Sequence, residues 1–356
     1  MIRISKISLF SFILLLGSID VLAADSTRYP ALHPYIRYTG RFKSINDGEQ
    51  VWASGAYAVL RFKGTYCVAE IEDENKWGKW NNYLHVIVDG KEFKRIQTQG
   101  TRNRIILADD LEYGEHEIIV VKDTESLIGY IRFRSWICNE LVPPGPLPAR
   151  RIEFIGNSIT CGMGADQSAK KCGEAEWFDQ HNAWNAYGPI TARNLKASWH
   201  LSSESGIGLI HSCCNKPYVM PEIFDKMNFG DNQFSWSFIR YQPDLISICL
   251  GQNDGIQDSA AFCRAYLHFI ETLKGYYPNA AFLLLSSPMA DSSLKATQKI
   301  QLSAIQHAAV RAGIRKISVL IFNKSYNSGC TYHPSLEEHR EIAEELTAHM
   351  RKWMNW

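Results

Sequence analysis

The chain lacks a surplus of either charge, metal-ligand spacing and any apolar run long enough to cross a bilayer. Its 356 residues carry 38 basic and 37 acidic side chains, a formal net charge of +1. Such balance leaves no electrostatic footprint for nucleic acid or an anionic membrane, so a neutral partner is expected. No C-x-x-C pair occurs and no histidine cluster has zinc-ligand spacing, which argues against a structural metal; no cofactor is expected. Internal repeats and low-complexity tracts are also missing. What remains, 46% hydrophobic and 12% aromatic residues, is the composition of a globular protein large enough for two domains.

The longest apolar segment near the start, Ile7 to Gly17, follows Arg3 and Lys6 and precedes small residues at Ala23 and Ala24. That pattern reads as a secretory signal peptide over residues 1–24, too short for a spanning helix. No cysteine follows it to carry a lipid. The expectation is a protein exported to a periplasm or beyond, free of the membrane after cleavage and monomeric. Losing Arg3, Lys6 and Asp20 leaves the two charge signs equal. Export permits disulfides, and nine cysteines leave at least one thiol free. Cys161 with Cys172 is one candidate bridge near the Ser158 loop, and one sequence does not give the connectivity. Cys249, inside an apolar run, reads as a small buried hydrophobe.

Composition changes at Leu141–Arg150, where four prolines and a glycine form a stiff linker, assigned to residues 143–150. Before it, residues 25–142 alternate short β-branched and aromatic runs with Gly, Asp and Asn, and Asp89-Gly90 is a hairpin signal. An all-β sandwich of jelly-roll type is expected there. After it, residues 151–356 alternate near-continuous apolar strands with amphipathic stretches, the signature of a parallel sheet covered by helices on both faces. Sites in such sheets lie beyond the C-terminal ends of the strands.

Four loops at those ends carry unusual residues. Gly156-Asn157-Ser158 puts a hydroxyl where a helix begins, as a cap or as a nucleophile. Ser203–Ile210 holds Gly206 and Gly208, whose backbone can approach a ligand or simply turn. Asn253, in Leu250–Gly255, offers an amide, although Asn-Asp-Gly is also ideal turn chemistry. His333 stands just before a capping box, Ser335 with Glu338, that opens the last helix; His339, inside that helix, reads as a surface or packing residue. A hydroxyl, a backbone donor, an amide and an imidazole together are the set that acyl transfer needs.

The order G-N-S, G-x-G, G-x-N-D and H-P resembles the SGNH (GDSL-like) hydrolase superfamily. With the all-β region ahead of it, "GNSITCG" and "HPS" resemble carbohydrate esterase family 2 more narrowly. The resemblance implies Ser158 as nucleophile, His333 as base, and an oxyanion hole from the backbone N–H groups of Ser158 and Gly208 with the Asn253 amide; Gly206 is the alternative to Gly208. It further implies a secreted serine esterase removing O-acetyl groups, on a primary 6-hydroxyl, from a plant polysaccharide such as xylan or glucomannan. Two positions depart from the superfamily pattern. Asn157 stands where Asp is usual. Cys330 stands three residues before His333, where an Asp usually orients the base, so the resemblance implies a Ser–His dyad with a main-chain carbonyl as the orienting group. Tyr332, Trp177 and Trp184 are candidates to stack on a sugar ring, against the plainer alternative of core packing. The rival classes are a carbohydrate-binding protein without catalysis and a lipase or other acylesterase.

Overall fold

The computed structural model describes residues 26–356. The leader segment expected at residues 1–24 lies outside the described residues. Among the described residues, no helix is long and apolar enough to cross a membrane.

Ten antiparallel strands make up the first part, all joined in one hydrogen-bonded network. Its spine is the 17-residue strand Tyr57–Asp73, paired along different stretches with Ile131–Val142, Gly114–Lys122 and Arg102–Ala108. Its side chains alternate on either side of a break in register between Lys63 and Cys67. Leu60 and Phe62 before the break and Ala69 and Ile71 after it therefore face one core, shared with Val86, Val120, Phe133 and Trp136. Asp89 and Gly90, both at positive φ (50° and 75°), close the expected hairpin between Tyr83–Val88 and Lys91–Gln97. Residues 143–149, after the last strand, form neither helix nor strand, as their prolines dictate.

The second part is a five-stranded parallel sheet. Its spatial order is Ala197–Ser203, Arg150–Gly156, Leu245–Ile248, Ala281–Leu285 and Ile317–Leu320. Side chains alternate between faces. Ile152, Phe154, Leu283 and Leu285 pack toward helices Tyr187–Asn194 and Leu336–Met354. Ile155, Ile246, Phe282 and Leu284 pack toward helices Ser259–Tyr276 and Ser292–Arg311. This is the covered parallel sheet that the continuous apolar runs require.

The two parts share a core rather than a polar seam. Tyr57, Ile87 and Val121 of the antiparallel part enter the cluster around Phe154 and Leu201, and Tyr57 stacks on Trp199 at 4.3 Å. A buried ion pair crosses the same boundary. Arg41, 1% exposed, pairs at 2.9 Å with Glu153 on the strand Arg150–Gly156, donates to the Phe224 and Lys226 carbonyls, and lies against the Phe224 ring.

Candidate active site

The strand Arg150–Gly156 ends in Asn157, whose side chain accepts from the Ile159 N–H and caps a single helical turn, Ser158–Cys161. Asn157 is therefore the cap, and Ser158 is left for other work. Gly162, left-handed at φ 75°, ends the turn at once. A helix this short has little dipole, so any charge stabilisation at Ser158 comes from individual N–H groups.

His333 arrives from the far end of the chain and is stitched to the segment just after that turn. The Cys330 N–H donates to the Gly164 carbonyl at 2.8 Å, and the Leu336 N–H to that of Ala165 at 3.2 Å. The capping box behind it is formed, with Ser335 N–H donating to Glu338 at 3.0 Å and Glu338 N–H to Ser335 Oγ at 3.3 Å. The result places His333 Nε2 2.8 Å from Ser158 Oγ.

The other ring nitrogen faces no carboxylate. Nδ1 lies 3.0 Å from the Thr331 carbonyl and 3.1 Å from the Thr331 hydroxyl. Two consecutive left-handed residues, Thr331 (φ 51°) and Tyr332 (φ 60°), fold the chain back to make this contact. A β-branched residue at positive φ is strained, and such strain persists only where the surroundings enforce it. Here Cys330, next in line, is bridged to Cys172. The position that lacks an aspartate thus holds a covalent anchor for the turn that does the orienting. Burial pulls the His333 pKa below its ordinary value, against the upward pull of the Thr331 carbonyl.

Both serine and histidine line a cleft of about 700 Å³, along with Gly206, Asn253 and Trp177. Gly208 does not line it. The Gly208 N–H is spent on Ser212 Oγ at 3.0 Å, and a Cβ there would fall 1.8 Å from the His211 carbonyl oxygen. Its glycine is needed for loop packing, and Gly206, at φ +79°, is the one at the cleft. Asn253 donates one amide hydrogen to the Ile207 carbonyl at 2.7 Å, which leaves its second N–H free to point elsewhere.

The aromatic candidates separate. Trp177 faces the cleft. Trp184 does not: it is buried between the two parts, donates to Glu92 at 3.0 Å and carries the Arg193 guanidinium 3.6 Å over its ring. Tyr332 is 79% exposed, beside the base but outside the cleft lining. His339 is fully buried, accepts from the Tyr187 N–H at 3.2 Å, and burial lowers its pKa to about 3. The candidate pair Cys161 and Cys172 do not bond to each other. Cys161 is buried beneath the site with its thiol on Ser203 Oγ, while Cys172 reaches over the top to Cys330. Cys249 is a buried free thiol. A second disulfide joins the neighbours Cys213 and Cys214.

Two supporting carboxylates were invisible in the sequence. Asp254, in the turn after Asn253, is buried and accepts from the Leu209, Ile210 and His211 N–H groups at 2.7–3.0 Å, locking the glycine loop to the asparagine loop. Glu125 comes from the antiparallel part. It is fully buried and accepts from the Ser205 N–H at 3.0 Å and the Ser205 hydroxyl at 2.5 Å, immediately before Gly206. Lys122, buried with its pKa pulled down to about 7 by desolvation, donates to the Thr124 and Glu125 carbonyls at 2.7 and 3.1 Å and holds that turn in place. Burial pushes the Glu125 carboxyl up, but His181 and Ser205 beside it pull it down further, so its pKa is below the ordinary value.

Residues 38–146 match the family model described as carbohydrate esterase 2 N-terminal. The chain resembles carbohydrate esterase family 2. Two curated relatives match the chain beyond that region. The acetylxylan esterase / glucomannan deacetylase of Cellvibrio japonicus is 27% identical over 368 residues, covering 98% of this chain and 99% of that protein. The cellulase/esterase CelE of Acetivibrio thermocellus is 30% identical over 346 residues, and the match spans 94% of this chain but only 41% of that longer protein. Among solved structures, a family two carbohydrate esterase from Clostridium thermocellum, in complex with cellohexaose, superposes with a TM-score of 0.83 at 28% identity, covering 90% of this chain and 99% of that one. The likeness to that esterase thus covers both the antiparallel strands and the parallel sheet.

Proposed function

We propose that this chain is a secreted serine esterase that removes O-acetyl groups from a plant polysaccharide through the pair Ser158 and His333. The observation that carries the reading is the 2.8 Å contact of Nε2 with Oγ, in a cleft, with Nδ1–H directed to a carbonyl that fixes the tautomer. Ser158 Oγ attacks the ester carbonyl and gives its proton to His333 Nε2. The N–H groups of Ser158, Gly206 and Asn253 hold the oxyanion. The tetrahedral intermediate collapses, and the departing sugar oxygen takes the proton from Nε2. Water, deprotonated by His333, then attacks the acetyl-serine and releases acetate with Ser158 restored. A carbonyl stabilises the imidazolium less than a carboxylate would, so the Cys172–Cys330 anchor supplies orientation where charge is missing.

The names of the relatives support acetylated xylan and glucomannan as substrates; acetyl on a primary 6-hydroxyl is the finer part of the proposal and rests on the family resemblance alone. The same proposal has residues 1–24 removed on export and a monomer dividing into a jelly-roll region (25–142), a linker (143–150) and a hydrolase region (151–356). The test is acetate release from 4-nitrophenyl acetate, acetylated xylan and acetylated glucomannan. Ser158→Ala and His333→Ala are each expected to lower turnover by roughly three or more orders of magnitude. A wild type inert on all three, or variants that match it, would overturn the assignment and favour a protein that only binds polysaccharide.

A further inference from the structure

The Cys213–Cys214 disulfide has no use as a staple. A cross-link stabilises by closing a loop in the unfolded chain, and a bond between adjacent residues closes none. The contrast within this chain is direct: Cys172–Cys330 spans a separation of 158 residues, Cys213–Cys214 a separation of 1. It also has a cost, because Cys214 and Asn215 are both left-handed, at φ 60° and 59°. What such a bond does provide is a surface. It closes an eight-membered ring with no free side-chain torsion, presenting two polarisable sulfurs and their methylenes.

That surface stands in the ester cleft. Both cysteines line it with Ser158 and His333; Cys213 is half-buried and Cys214 exposed. Its placement is tied to the oxyanion loop. The Cys213 N–H donates to the Gly206 carbonyl at 2.9 Å, and Cys213 Sγ lies 3.1 Å from where a Cβ on Gly206 would be. The ring therefore keeps register with the reacting atoms, and being rigid it loses no rotamer freedom when a ligand settles on it.

We propose that the Cys213–Cys214 ring is a sugar platform, packing on the C–H face of a pyranose in the polysaccharide chain that carries the acetyl group. The inference rests on the polysaccharide-esterase reading above. Its chemistry is the contact of an apolar, polarisable face with sugar C–H groups, with no covalent or redox step.

The first check is the bond. Denatured wild type, alkylated without reductant, should take up five labels, at Cys67, Cys138, Cys161, Cys249 and Cys263; seven would mean the ring does not exist and the proposal fails. The second compares Cys213→Ala/Cys214→Ala with wild type, and Cys213→Ser/Cys214→Ser serves if the first pair does not fold. Expected is a loss in kcat/KM on acetylated glucomannan or xylan about tenfold larger than on 4-nitrophenyl acetate, carried by KM. In the Ser158→Ala background, the Kd for the deacetylated oligosaccharide should weaken by the same factor. Equal losses on both esters would show that the ring only supports Gly206, and an unchanged Kd would remove the platform. A wild type inert on every ester would sink the esterase reading instead, while the Kd comparison would still decide the platform.

Discussion

Under the proposed mechanism, replacing Glu125 with glutamine should slow ester hydrolysis although the residue touches neither Ser158 nor His333. The carboxylate accepts two hydrogen bonds from Ser205, at 3.0 and 2.5 Å, and Ser205 precedes the glycine that faces the cleft. Hydrogen bonds to a charged acceptor contribute about 1.5–3 kcal/mol against about 0.5–1.5 for neutral ones, so Glu125→Gln weakens the pair by roughly 2 kcal/mol in total. Expressed wholly in the placement of the oxyanion loop, that is about a thirtyfold loss in kcat/KM on 4-nitrophenyl acetate. The melting temperature should fall by a few degrees. The pH dependence gives a second readout. With its folded pKa below the unfolded value, the Glu125 contribution is complete above that unfolded value, about 4.3, and is lost as pH falls through the folded one. The gap between wild type and variant should therefore be constant at neutral pH and narrow only in acid. A variant with unchanged kcat/KM but a lowered melting temperature would refute the reasoning, since Glu125 would then only join the two parts of the fold.

Burial holds the His333 pKa below its ordinary value, so the imidazole stays neutral to lower pH and the acid limb of kcat/KM should have its midpoint below about 6.5; a midpoint above that contradicts the desolvated base. Thr331→Val removes the hydroxyl near Nδ1 but keeps the carbonyl, and turnover should stay within about threefold of wild type; a collapse toward the His333→Ala level would make the hydroxyl the orienting group. Cys172→Ser opens a loop with a separation of 158 residues, for which chain entropy gives about 5 kcal/mol, so calorimetry should show a large drop in melting temperature together with reduced turnover as Thr331 relaxes; an unaltered transition would disprove the anchor.

How much of this was legible depended on the range of the interaction concerned. The parallel sheet was readable because apolar runs such as Leu245–Ile248 and Ala281–Leu285 are buried on both faces, and the antiparallel part because Asp89-Gly90 and its like punctuate alternating strands. The meeting of Ser158 with His333 followed from the superfamily resemblance, with strand-end placement and a capping box offering the two residues as candidates. The distinction between Gly206 and Gly208 did not, since glycines two apart differ only in which N–H a distant Ser212 takes. Asp254 looked like turn chemistry because its three donors sit more than 40 residues away. Trp177 and Trp184 lie in one short stretch, and only the partner Glu92 from the antiparallel part shows that the second belongs to the core. Cysteine pairing had no local signal at all: Cys161–Cys172 was one candidate among many, and Cys172 pairs with Cys330 at a separation of 158 residues.

The Arg41–Glu153 pair bears on whether either part of the fold can be made without the other. Glu153 is wholly enclosed, and its carboxylate has Arg41 as its cationic partner and Ser202 as a donor. Removing one member of a buried pair strands the other at about 3–5 kcal/mol. Arg41 is itself held by the Phe224 and Lys226 carbonyls of the second part, so neither charge has its place until the two parts have met. Produced without the first 142 residues, the remainder would have to bury a lone carboxylate in the strand Arg150–Gly156, and is expected to accumulate as aggregate until the missing piece is supplied with it.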